Sequence, residues 1–252
     1  MRIQYASDLH LEFADNWHYL REQPLKVSGD ILVLAGDIGY LGDQNYDNHS
    51  FRNWASNSYQ QVLVVLGNHE FYKYYDLSSM IDGKIGEIRH NVHYYYNVVR
   101  IGEADFILST LWSHIYDSYA PFCERCVTDF RRIMYGNSVL TYREFNREHQ
   151  RCLDFIKNAV AQSKAEHKVM VTHHVPSYRL SAPEFAGSPL NGAFTMELED
   201  YIKGSGIDYW IYGHSHRNID KVIGNTKCVC NQLGYVFANE HNAFSLTKII
   251  EV

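Results

Sequence analysis

The sequence predicts an α/β or α+β fold with mixed β-sheets, and three observations carry that prediction. Five runs of β-branched and aliphatic residues, at 2–6, 31–35, 62–66, 167–171 and 208–212, have the length and composition of buried strands. Helix-like stretches separate the early runs, the pattern of strands joined by crossovers. Residues 91–111 change period to consecutive short strands, so hairpin pairing is expected beside the crossovers.

Taken in order, residues 45–60 read as a helix, with Phe51 and Trp54 apolar three positions apart, and 76–90 read as a second helix-like stretch. Strands are expected at 92–96, 98–101 and 105–111, with Gly102 at a turn. Residues 113–140 are polar and irregular and follow a strand directly, which suits a cap folded over a site. The clearest helix is 141–163. There Phe145, Cys152, Phe155, Ile156 and Ala159 recur at spacings of three, four and seven, and Thr141 followed by Glu144 fits a capping box. Residues 175–194 form a second loop rich in Pro, Ser and Gly, and 197–203 a short helix. Gly224-Asn225 joins 218–223 to 227–231 as a two-residue hairpin, and 243–252 closes as a strand. No linker, repeat or low-complexity tract divides the chain, so residues 1–252 read as one domain with cap loops at 113–140 and 175–194. At this length roughly 70–75% of the unfolded surface can be buried.

Function is concentrated where the five long strands end. Asp8-Leu9-His10, Gly36-Asp37, Gly67-Asn68-His69-Glu70, Thr172-His173-His174 and Gly213-His214-Ser215-His216 each follow one apolar run directly. In sheets of mostly parallel strands, ligands bind beyond the strands' carboxyl ends, so these segments are expected to converge. Carboxylate, amide and imidazole without thiolate suit Mn²⁺, Fe or Zn²⁺. One ion takes roughly four to six ligands. The candidates Asp8, His10, Asp37, Asn68, His173, His214 and His216 number seven, which fits two divalent ions sharing a carboxylate, with Asp37 as the bridge. Adjacent side chains of an extended segment point opposite ways, so only one of His173 and His174 is expected to be a ligand. Glu70 is expected to orient a neighbouring imidazole. Cys123 and Cys126 form a lone Cys-x-x-Cys pair, too little for a second zinc site.

The order Asp-x-His, Gly-Asp, Gly-Asn-His-Glu, His, Gly-His-x-His, complete from residue 8 to residue 216, resembles the calcineurin-like metallophosphoesterases. The resemblance implies an αββα sandwich, two mixed sheets flanked by helices. It implies Asp8, His10, Asp37 and His216 on one ion, and Asp37, Asn68, His173 and His214 on the other. His69 would contact the substrate phosphate as the catalytic residue, and His174 would sit behind the ligands, at the pocket mouth, or simply be packed. The stretch 230–235 also looks like that of bacterial members. One departure is informative. The family's phosphoprotein phosphatases carry Asp-Arg two residues after Gly-Asp, where this chain has Tyr40 and Leu41. The Asp that would orient the catalytic His and the Arg that would grip phosphate are absent there, which disfavours a protein phosphatase.

The expected activity is hydrolysis of a phosphomonoester or phosphodiester with a metal-held hydroxide as nucleophile. The rival readings are a non-catalytic scaffold of the same fold and a nuclease. Intact ligands and His69 oppose the first. A charge of −6, from 29 acidic against 23 basic residues, without a basic stripe, disfavours long nucleic acid and points to a small phosphorylated substrate. Five cysteines do not suggest a disulfide framework, and no run is apolar enough to span a bilayer, so a cytoplasmic location is expected. In the loop 175–194, Asn191 and Phe194 are candidate substrate contacts, with His174 as a third.

Overall fold

The computed structural model describes residues 1–252 apart from 42, 44, 45, 48 and 81. Strands β1 (Arg2–Ala6), β2 (Ile31–Ala35) and β3 (Gln61–Val65) alternate with helices α1 (Ala14–Glu22) and α2 (Ser50–Ser58). Four strands follow: β4 (Ile85–Arg89), β5 (Val92–Tyr95), β6 (Asn97–Ile101) and β7 (Ala104–Ser109). The next segment holds α3 (Ala120–Cys126), α4 (Asp129–Arg132) and a small hairpin, β8 (Met134–Tyr135) with β9 (Ser138–Val139). The chain then runs through α5 (Tyr142–Gln162), β10 (His167–Thr172), α6 (Glu199–Gly204) and β11 (Tyr209–Tyr212). It closes with β12 (Lys221–Ile223), β13 (Thr226–Cys230) and β14 (Ile249–Glu251).

Two six-stranded sheets result, in the orders β14-β1-β2-β3-β5-β4 and β12-β13-β11-β10-β7-β6. The inner pairs are parallel and the outer pairs antiparallel. The sheets face each other across a core that includes Val33, Leu63, Phe106, Val169 and Ile211. Side chains alternate along a strand, so the residues between these point outward. Leu32, Leu34, Val62 and Val64 pack under Leu20, Phe51 and Ala55 of α1 and α2. Ile107, Met170 and Trp210 pack under Leu153 and Ile156 of α5 and Ile202 of α6. Central strands buried on both faces have no polar face, which is why they read as unbroken apolar runs. This is the expected αββα sandwich.

Most expected elements are present. Helix α5 carries its capping box, with Glu144 accepting from the Thr141 backbone N–H at 2.9 Å, and Gly224-Asn225 turns β12 into β13. The expected helix at 45–60 is α2; its first expected residue, Asn45, lies outside the described residues. The helix-like reading of 76–90 is wrong. Leu77–Ser79 makes a single 3₁₀ turn, and Ile85–Arg89 is an edge strand antiparallel to β5. Its apolar residues satisfied a helical spacing, but pairing with β5 and the seat that Gly86 leaves for the Tyr94 ring decided for a strand. The closing strand is also shorter than 243–252: the helical turn Glu240–Ala243 takes its first residue, 244–248 form a loop, and only Ile249–Glu251 pairs with β1.

Candidate metal centre

The five polar segments leave β1, β2, β3, β10 and β11. Three of these strands lie in one sheet and two in the other, so the segments meet where the carboxyl ends of both sheets come together. The backbone there is unusual. Among the described residues nine other than glycine have positive φ, and five of them are Asp8 (54°), His10 (48°), Asp37 (56°), His214 (74°) and His216 (50°). Such conformations are held only where surrounding structure over-determines them. The tight turns also need two glycines. A Cβ on Gly36, whose φ is +92°, would lie 2.3 Å from His173 Nδ1, and one on Gly67 would lie 2.2 Å from Asp37 Oδ1.

The donors converge. His10 Nε2 and His216 Nε2 lie 3.0 Å apart, and His216 Nε2 is 3.4 Å from Asp8 Oδ1. His173 Nε2 lies 3.1 Å from Asn68 Oδ1, 3.1 Å from His214 Nδ1 and 3.4 Å from Asp37 Oδ1. Asp37 presents its other oxygen, Oδ2, 3.9 Å from His10 Nε2 and 4.0 Å from His69 Nε2. Among the described residues three groups have donors close enough to hold a cation, Asp8–His10–His216, His10–Asp37–His69 and Asp37–His173–His214, and Asp37 belongs to two of them.

The nitrogen of each ring that faces away from the centre has a protein partner in three cases. His10 Nδ1 meets Glu12 Oε1 at 3.0 Å, His173 Nδ1 meets the Ala35 carbonyl at 2.9 Å, and His216 Nδ1 meets Glu240 Oε2 at 2.6 Å. An acceptor on one nitrogen keeps the proton there and leaves the other lone pair facing inward, as a metal-binding imidazole requires. Electrostatics agree. Burial alone would keep His173 and His216 neutral, but Asp37 pushes His173 up to about 9, and Asp8 with Glu240 pushes His216 up to about 10. His214, buried and beside His173, falls to about 3. Carboxylates this buried need positive charge beside them, and a divalent ion would supply it in place of these protons. The residues fit a dinuclear divalent centre.

His69 occupies a different position. Its Nδ1 lies 2.8 Å from Glu12 Oε1, and its Nε2 lies 3.3 Å from the Tyr235 hydroxyl. One carboxylate thus holds both His10 and His69. Position 40 is a Tyr, and the carboxylate beside His69 comes from Glu12.

A cavity of about 550 Å³ opens above these groups. Asn191 and Phe194 both line it, and the Phe194 ring stacks on His214 at 5.0 Å. His174 does not line it. It is fully buried behind His214, its ring 4.1 Å from that ring, and it pairs with Ser113 Oγ at 2.6 Å. Glu70 does not orient an imidazole either: it accepts from the backbone N–H groups of Asp37, Ile38, Gly39 and Gly67, at 2.7 to 3.2 Å. Its role is to clamp the two tight turns together. Cys126 is exposed while Cys123 is buried, and no cysteine joins a metal-binding group among the described residues.

Four contributors escaped the sequence reading. Glu12 had a signal, since Asp8, His10 and Glu12 alternate. Glu240 and Asp129, whose Oδ1 takes the Asn68 amide at 2.9 Å and the Tyr72 hydroxyl at 2.7 Å, had none. Tyr235 arrives because residues 231–234 run beside the end of β1, with Leu233 N bonded to Ser7 O and Gly234 N to Asp8 O, both at 3.1 Å.

Among the likenesses to known proteins, three are informative. The family profile described as calcineurin-like phosphoesterase matches residues 1–218. Uncharacterized protein L509 of Acanthamoeba polyphaga mimivirus is 27% identical over 283 residues, spanning 100% of this chain and 97% of its own. The phosphopantetheinyl hydrolase of Mycobacterium tuberculosis superposes with a TM-score of 0.65 at 17% identity, over 98% of this chain and 95% of its own, a likeness of fold.

Proposed function

The chain belongs to the calcineurin-like phosphoesterase family, and from that premise we propose that it hydrolyses phosphate esters of small molecules at the site built around Asp37. As a member it is a metal-dependent phosphoric ester hydrolase; the substrate, the individual ligand roles and the role of His69 are our reading. The observation that carries it is the convergence of seven donor residues and His69 at one end of the two sheets, beside a cavity of about 550 Å³. That volume is within the usual range for small-molecule sites.

Asp8, His10, Asp37 and His216 would hold one ion and Asp37, Asn68, His173 and His214 the other, with Mn²⁺, Fe or Zn²⁺ as the candidate ions for this oxygen–nitrogen donor set. Bound divalent ions supply a nucleophile at neutral pH by acidifying water, and they polarise the phosphoryl oxygens. The chain's own groups do the rest. Glu12 and the Ala35 carbonyl fix which ring nitrogens stay free. Burial disfavours a charged His69, yet Asp37 and Glu12 outweigh it and raise its pKa. Its Nε2 can therefore carry a proton toward the cavity, to steady the phosphoryl oxygens or to pass to the leaving oxygen. Residues of the segments 113–140 and 175–194 line the cavity and act as its caps, which disfavours long nucleic acid as the substrate. The five free cysteines, one of them exposed, fit a reducing compartment, and we assign the cytoplasm. Among the described residues no helix is long and apolar enough to cross a membrane.

The test strips the protein of metal and adds back Mn²⁺, Fe²⁺ or Zn²⁺ with mono- or bis-nitrophenyl phosphate. Metal-dependent nitrophenol release is expected, and the preferred ester separates monoesterase from diesterase. No release from either ester with any ion would overturn the proposal.

A further inference from the structure

Two arginines line the cavity, and they differ in what already holds them. Arg217 is committed, with Nε 2.9 Å from Glu184 Oε1 and Nη1 3.7 Å from Glu240 Oε1. Arg132 makes no ion pair among the described residues. It is held instead by aromatic faces, its guanidinium carbon 4.6 Å over the Tyr72 ring and 5.1 Å over the Tyr40 ring. Among the described residues the one hydrogen bond of its side chain, from Nη1 to the Tyr40 hydroxyl, is long at 3.5 Å. Tyr72 is itself fixed, because Asp129 accepts its hydroxyl at 2.7 Å. Asp129 begins the short helix that Arg132 ends, yet it faces Asn68 and Tyr72 and forms no salt bridge with Arg132.

A guanidinium laid on two rings keeps its N–H edge free and has little rotamer freedom left to lose on binding. A half-buried cation facing a cavity without a counter-charge is a site awaiting an anion. The anion's place follows from the architecture. The phosphoryl being cleaved is served by the floor, where the metal donors and His69 lie. Arg132 comes from α4, in the wall, where the remainder of the substrate must run.

We infer that Arg132 binds a second anionic group of the substrate, so that the natural substrate carries, beyond the phosphoryl that is cleaved, another phosphate or a carboxylate. This rests on the phosphoesterase reading above. It also gives the Tyr at position 40 a purpose: its ring supports the cation.

The experiment measures competition against whichever nitrophenyl ester, mono or bis, the wild type hydrolyses, by two matched pairs, AMP with ADP, and glycerol 2-phosphate with 2-phosphoglycerate. Each pair differs by one anionic group, a phosphate in the first and a carboxylate in the second. The wild type is expected to favour the more anionic member of at least one pair by about tenfold, the scale of a hydrogen-bonded charge. Arg132→Ala should bring that ratio close to one, and Arg132→Lys should restore part of it. The pair that responds identifies the group. A ratio that survives in Arg132→Ala, or no discrimination by the wild type in either pair, overturns the inference. So does an equal loss on both members of each pair, which would put Arg132 on the phosphoryl being cleaved, in place of the arginine absent at position 41. A wild type that releases no nitrophenol with any ion fails earlier, at the phosphoesterase reading itself.

Discussion

The floor of the cavity and its wall are built on opposite plans. On the floor, Asp8, His10, Asp37 and His173 are almost completely buried, and strained turns are locked by glycines and by the Glu70 clamp. His10, His173 and His216 each have a partner on the nitrogen facing away. The wall is made of short pieces: α3 and α4 with seven and four residues, and three 3₁₀ turns between Tyr178 and Ala193. Phe185 and Tyr178 on that side stand 37% and 42% exposed. Floor and wall meet through bonds such as Asn68 to Asp129 and Arg217 to Glu184. Such a division fixes the chemistry and leaves the choice of substrate adjustable, since loops on a rigid scaffold can change without disturbing it.

The comparison breaks most visibly at Asp37. It faces both groups of donors, so Asp37→Asn should lower the content of both ions and reduce turnover to background, while His10→Ala should empty mainly one site. Metal analysis of the purified variants decides this. Two full equivalents of metal in Asp37→Asn would mean the two sites do not share it.

His69→Ala is the next largest effect. It should retain both ions and lose roughly 10²–10⁴-fold in kcat, the range for a general acid or base. A variant turning over at the wild-type rate would remove His69 from the reaction.

Glu12 tests whether the floor acts as a unit. Its Oε1 serves His10 and His69 together, so Glu12→Gln, which keeps the shape and drops the charge, should weaken one metal site and slow turnover at once. Each loss should be about 10–100-fold, as for other groups that orient ligands. A change in turnover with metal affinity intact would confine Glu12 to His69.

These differences also explain what the sequence could reveal. A strand that ends in a polar group announces itself, because an apolar run and a polar residue are adjacent in the chain. The convergence of Asp37, Asn68 and His214 was legible for that reason. Glu240 and Asp129 reach the site from 24 residues beyond His216 and 61 residues beyond Asn68, and no local pattern marks so distant a contact. The stretch 76–90 was misread because edge-strand pairing, which sequence period does not show, outweighed a helical spacing. Which strands share a sheet was likewise hidden, since the central strands are apolar on both faces. The chain changes sheet between β5 and β6 at Tyr96 with no turn signal of its own.

The smallest expected effect lies in the wall, and it sharpens the contrast by asking whether the wall only chooses. Replacing Asn191 and Phe194 is the obvious trial, since both line the cavity, but neither is independent of the fold. Phe194 stacks on His214, so its loss would disturb a proposed metal donor, and the Asn191 amide donates to the Phe185 carbonyl at 2.8 Å, bracing the loop. Phe185 is the cleaner choice. Phe185 lines the cavity and is partly exposed, and the Arg217 guanidinium lies 5.7 Å over its ring. Removing that face should forfeit part of one aromatic burial, roughly 1 kcal/mol on an ester with a bulky apolar leaving group. That is about a fivefold fall in kcat/KM. An ester with a small polar leaving group, such as glycerol phosphate, should scarcely respond, and the metal content should stay at the wild-type level. An equal fall on both esters would show that this loop supports the floor instead of selecting what rests on it, and the division between the two regions would fail there.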